Sequence, residues 1–448
     1  MTFSGLISAW SGPRAERWTR WLVLGGAAAL PLQSTATVDV GFTLRVSYVL
    51  FGLALVVGLP FAWRGLWLLP PWLRWSAAGL LATYVVVTST SDLATIAGTS
   101  RGGDLRALVY LTDLAIGAGL MCVAAGLWRG FGSLQPLFVA LTIGAGAAAA
   151  YAVYQWPAQR YGLPVSDILT TRDSNGITTE GFQGTGLLGW ERARGTFLEP
   201  HFLGAFMSAA APVAVLAAVQ ARARMRVVAL VAAALVIVAL VVSSSAPAWA
   251  SFAVAGIIAG TTWAVSAGRP RLAGLTAAGA AAAILVAPSL VLVPEVLASA
   301  TGRDAATLTV TADFRKDAWQ RVLDIWSLEP AGGHGAGQSS VRLALASDRP
   351  GAVGLSSAQG IWASALIDVG LVGLGFWIAL VGGALAHVFR GTYRQPWLAS
   401  AMLVMATVAA VSSALVASDR LDLRVWLLFG IVAASYYPAP RPSSRSFL

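Results

Sequence analysis

The chain is short of charge and of reactive side chains. Asp, Glu, Lys and Arg make up 11% of its 448 residues, against about 25% in soluble domains. Its one cysteine, Cys122, excludes an internal disulfide and a cysteine metal cluster, and lies inside an apolar run as a small packing residue. Lys316 is the only lysine. The net charge of +10 comes from arginines scattered between apolar segments. They do not gather on one basic face, so nucleic acid is not the expected partner. What is abundant is apolar: 57% of the residues are hydrophobic. That composition, in repeated long runs, is that of a polytopic membrane protein.

About 20 apolar residues cross a bilayer as helix. Twelve segments qualify: 19–36, 43–63, 72–91, 105–127, 134–157, 200–219, 224–242, 246–266, 271–292, 357–389, 395–417 and 421–437. The first follows Arg14, Arg17 and Arg20 and reads as an uncleaved span. Arginine bias then fixes the expected orientation. With the N-terminus inside, the inner loops hold Arg64 and Arg74, Arg129, Arg222 to Arg226, Arg269 and Arg271, and Arg390 and Arg394. Outer loops mix both signs, as in Asp419, Arg420, Asp422 and Arg424. The expected fold is therefore all-α: one transmembrane helical bundle over 1–448, in the cytoplasmic membrane, with both termini cytoplasmic.

Two long connections, 158–199 and 293–356, fall outside. Long loops in a compact protein are usually functional or disordered. In the second, "TADFRKDAWQRVLDIWSL" (311–328) has helical period, with Thr311 as N-cap. Arg315, Trp319, Val322 and Trp326 share the stripe expected to be buried. A buried arginine needs a carboxylate or phosphate partner.

The first loop ends in "RARGTFLEPHFLGAF", Arg192 to Phe206. Pro200 suits the first position of a helix and Glu199 its cap. The N–H groups of that helix start favour anions, and Arg192 and Arg194 beside it match phosphate oxygens in pairs. Glu199 can orient an arginine or act as a base, and a purely structural ion-pair knot is the competing reading. Further on, "EPAGGHGAGQSS" (329–340) places His334 in a glycine-rich loop that a ligand can approach closely. Asp368 lies inside the tenth segment, where a carboxylate points to function.

In this order the segments resemble the bacterial O-antigen ligase and polysaccharide polymerase superfamily, over roughly 190–380. The matching residues are Arg192 or Arg194, Gly195, Thr196, Phe197, Pro200, Leu203 and Gly204; then Arg315, Trp319, Gly333, Gly335 and Gly337; then Ala358, Asp368, Gly370, Leu371 and Gly373. The resemblance implies transfer of a glycan from a polyprenyl-diphosphate carrier to a glycan, lipid or protein acceptor outside the membrane, without metal or cofactor. It implies that Arg192, Arg194 and Arg315 clamp the diphosphate. It also implies a histidine base, but that position falls on Gln359, which cannot take a proton at neutral pH. The role then passes to Glu199, His201 or His334. A lipid or polysaccharide flippase and a non-catalytic relative are the alternatives.

Overall fold

The computed structural model describes residues 12–32, 37–39, 43–93, 103–165, 190–197, 199–269, 271–272, 274, 305–346, 360–391, 397–417 and 423–435. Its architecture is helical. The helices are α1 (Pro13–Ala29), α2 (Val46–Val57), α3 (Leu59–Leu68), α4 (Pro71–Thr90), α5 (Gly103–Leu127), α6 (Gln135–Tyr161) and α7 (Pro200–Gln220). They continue with α8 (Ala223–Val242), α9 (Ala246–Ser266), α10 (Ala305–Leu328), α11 (Gln338–Leu345), α12 (Ile361–Gly391), α13 (Trp397–Ala417) and α14 (Leu423–Ser435). One small hairpin pairs Thr37–Asp39 with Thr43–Arg45. Helix lies in every expected apolar segment, although of 271–292 only residues 271, 272 and 274 are described.

Among the described residues, 6 helices are long and apolar enough to cross a membrane, or up to 7 with one bent pair. This is a membrane protein of apolar helices, and fewer than twelve of the described helices meet that test. The second expected span, 43–63, is where the physical reason is clearest. It is divided: α2 has 12 residues, about 18 Å of helix, and α3 departs from it at 84°. Gly58 sits at the bend with Pro60 just after it, and proline denies the helix a ladder hydrogen bond.

Small residues let these helices approach closely, as in membrane bundles generally. A Cβ on Gly65 would lie 1.7 Å from the Cys122 carbonyl oxygen, and one on Gly126 would lie 2.1 Å from that of Phe61. Gly65→Ala is therefore expected to cost at least roughly 1–3 kcal/mol through overpacking and to lower the melting temperature of the purified protein. Gly52→Ala, with nothing within 4 Å of the new Cβ, is the matched control and should leave it unchanged.

Hydrogen bonds tie helix ends into two opposed faces. On one face Arg20 donates to the Leu127 carbonyl, Gln135 Nε2 to that of Gln220 and the Gly130 amide to that of Ala434. On the other, residues 193–196 reach Pro31, Gln155 and Val242. Helix α5 ends on the first face, so its start, the end of α4 and the loop after α10 share the second.

Inside α12 the backbone breaks at Gly370, at φ 59 and ψ −161. The glycine-rich loop fills the break. His334 and Gly335 amides donate to the Ile367 and Asp368 carbonyls, and the Leu371 and Val372 amides to those of Pro330 and Ala331. The Asp368 carboxylate accepts from the Gly337 and Ser339 amides at 3.1 and 2.7 Å, capping α11. Val322, Ile325, Leu343, Ala363 and Ile367 form a small second core beneath it.

Candidate functional site

The first candidate cluster is a strap, 190–197 with Glu199, that bonds to Pro31 after α1, to Gln155 in α6 and to Val242 at the end of α8. Gln155, on α6, accepts the Arg194 and Gly195 amides at 3.1 and 2.7 Å. Gly195 turns at φ 57, a conformation costly for other residues. The Phe197 amide then closes the turn on the Arg194 carbonyl, and the Thr196 hydroxyl donates to Pro31. Arg194 is buried, at 3% exposure. Arg192, half-buried, donates Nε to the Ser243 carbonyl at 3.0 Å.

The strap delivers Glu199 to the N-cap of α7, with Pro200 at its first turn. The expected side-chain cap does not form. Instead Glu199 Oε2 lies 2.8 Å from His201 Nδ1. Both side chains remain about one third exposed, at 37% and 32%. Burial pushes the Glu199 carboxyl up, but the His201 hydrogen bond, the His201 charge and the nearby Arg192 outweigh it and hold the carboxyl below its ordinary value. Glu199 thus stays ionised below the pH at which an ordinary glutamate protonates. Its stabilising contribution is full above that ordinary value and is lost as pH falls through the depressed one.

With Nδ1 engaged, the imidazole is left with Nε2 as its available nitrogen. A carboxylate at Nδ1 fixes the tautomer whose Nε2 takes a proton. The arrangement can accept a proton at Nε2 while Glu199 stabilises the resulting cation, with Arg192 close enough to act on Glu199 electrostatically.

His334 and Asp368 form the second cluster. His334 is 1% exposed, not a surface loop residue. Its Nε2 lies 3.0 Å from the Ile325 carbonyl, and Nδ1 lies 3.8 Å from Glu329. Gly335 and Gly337 take positive φ, 104 and 69. These residues hold the loop in the break of α12. The amphipathic helix begins at Ala305 rather than at Thr311. Its buried side is centred on Val322 and Ile325, and Trp319 is 38% exposed. The stripe has thus turned away from Trp319 because the partner surface is the start of α12. Arg315 lies in this helix with its side chain outside the described residues, and Gln359 lies outside them altogether.

So the fold joins Arg192, Glu199, Pro200 and His201 in one place, with Arg194 buried in the same strap. It joins His334, Gly335, Gly337 and Asp368 in another. Sequence reasoning missed three contributors. Gln155 looked like one polar residue in an apolar run. Ser243, Ser244 and Ser245 form a buried turn with Ser244 at φ 46, and "SSSAP" between two spans was a usable signal. Arg424, expected in an outer loop, lies within α14 at 8% exposure, donates to the Ala205 carbonyl and sits 5.5 Å from the Phe206 ring. It is therefore placed about one turn of α7 below His201. Among the described residues no group of three or more His, Cys, Asp or Glu is arranged to hold a metal ion. No known protein-family model matches this chain, and no curated protein matches it in sequence.

Proposed function

We propose that this protein is a membrane glycosyltransferase that moves a glycan from a polyprenyl-diphosphate carrier to an acceptor hydroxyl at the outer face of the cytoplasmic membrane. On this reading the twelve apolar segments are twelve spans, with both termini in the cytoplasm. The observation that carries it is the Glu199–His201 pair near Arg192 at the start of α7. It joins a base to a cation, as displacement of a diphosphate requires. The order of motifs resembling the O-antigen ligase and polysaccharide polymerase superfamily supports the same reading.

In the proposed reaction the acceptor oxygen attacks the anomeric carbon of the carrier-linked sugar. The bond from that carbon to the diphosphate oxygen breaks, and the polyprenyl diphosphate leaves with the electron pair. The acceptor proton passes to His201 Nε2. Glu199 holds the ring and stabilises the imidazolium. Arg192 and Arg315 pair with the leaving diphosphate, and buried Arg194 adds positive potential beneath it. His334 is set aside as the base because its ring is sealed inside the protein.

One observation favours a flippase. Broken helices carrying an acidic residue recur at transporter binding sites, and α12 is broken beside Asp368. Here the freed backbone groups pair with the 330–335 loop rather than lining a cavity, so the transferase reading is preferred.

The test is mass spectrometry of polyprenyl-diphosphate-linked glycans from cells carrying Arg192→Ala or Arg315→Ala at wild-type protein level. Single repeat units should accumulate for a polymerase, or long carrier-linked chains for a ligase. An unchanged carrier pool contradicts the diphosphate clamp.

A further inference from the structure

Four aromatic side chains lie around the outer end of α6, next to the strap. Trp156 and Trp190 stack with centroids 4.4 Å apart and planes inclined at 38°. Tyr161 stands edge-on to Trp190, at 6.1 Å and 82°. Tyr154 donates its hydroxyl to the Pro164 carbonyl, which holds the chain after α6 against the helix. Tyr161 and Tyr154 are 69% and 43% exposed, whereas both tryptophans are half-buried. The Trp156 indole N–H is buried and has no hydrogen-bond partner among the described residues.

Two links fix this cluster to the ionic site. Gln155, the residue before Trp156, holds the Arg194–Gly195 turn. Trp190 precedes Arg192 by two residues on the strap. A tryptophan that only anchors a protein in the membrane interface is presented to lipid from a helix, as Trp18 and Trp21 of α1 are, at 65% and 64% exposure. Trp190 instead sits outside any helix, stacked on Trp156 and half-covered, two residues before Arg192 on the strap.

We propose that Trp190, backed by Trp156, is a sugar-binding platform that seats one pyranose ring of the glycan next to Glu199 and His201. A pyranose has an apolar face of C–H groups and a rim of hydroxyls. The face lies flat on an indole, where apolar contact and the ring's negative face attract the C–H groups. The rim meets the polar edge formed by Tyr161, which stands against Trp190 and is exposed. The identity of the occupant rests on the transferase reading.

Saturation-transfer NMR on the full chain in nanodiscs tests the platform, with the methyl pyranosides of glucose, galactose, mannose and N-acetylglucosamine as probes. Ring C–H protons of at least one probe should receive saturation from the wild type. Trp190→Ala should weaken that binding roughly three- to tenfold, Trp190→Phe should retain part of it, and Trp21→Ala should leave it unchanged. His201→Gln should keep the sugar signal while losing transfer, so the platform and the transfer reading can fail separately. The platform is overturned by a wild type that saturates none of the four probes or by binding indifferent to Trp190→Ala. Saturation reaching lipid headgroups alone also overturns it, and makes the cluster a membrane anchor.

Discussion

His201→Gln should lower glycan transfer by about 10²–10⁴-fold, the usual contribution of a positioned general base, and leave carrier binding nearly intact. Glutamine keeps much of the size and hydrogen bonding of histidine but cannot take a proton at neutral pH. The loss should therefore appear in kcat rather than in KM for the carrier-linked donor. Glu199→Gln separates the two roles. If Glu199 orients the ring and stabilises its cation, its removal costs less than removal of His201. A reversed order, with Glu199→Gln inactive and His201→Gln active, would make the carboxylate itself the base. Both side chains are about one third exposed, so neither substitution should lower the melting temperature appreciably.

Gly370→Val should abolish the folded protein or lower its stability by at least roughly 3 kcal/mol. Two independent costs act at this residue. Its φ of 59 with ψ −161 is open only to glycine in practice. A Cβ there would also lie 2.4 Å from the Ala331 carbonyl oxygen. The loop cannot yield cheaply, because its amides and carbonyls pair with both halves of α12 and Asp368 holds the start of α11. Gly375→Val, in the same helix with nothing within 4 Å of the new Cβ, is the control. Size-exclusion profiles and thermal melting of the two variants check the difference. Equal stability would mean that the loop does not lock the break.

Much of the helical frame was legible. The expected 200–219, 224–242 and 246–266 became Pro200–Gln220, Ala223–Val242 and Ala246–Ser266. Apolar run length, bounded by proline and arginine, decides such elements locally. The bend at Gly58 left a local trace in that glycine and Pro60, which a hydropathy average passes over. The break at Gly370 was not legible, because it depends on the distant 330–335 loop that pairs with it. The burial of the 311–328 helix was half right: Val322 is buried, but Trp319 is not, since the docking surface and not the strongest apolar stripe chose the face. In the site, Glu199 and His201 flank a proline in sequence, so their proximity could be read. Gln155 lies 39 residues from Arg194 along the chain, and no local pattern announces that contact.

The most direct measurement of the central claim uses the purified protein in proteoliposomes containing a polyprenyl-diphosphate-linked glycan and its acceptor. Products are separated by mass, and the sidedness of the glycan lipid is read in parallel. The account predicts release of free polyprenyl diphosphate in step with acceptor glycosylation, both suppressed by His201→Gln. Movement of intact glycan lipid between leaflets, with no polyprenyl diphosphate released, would contradict it.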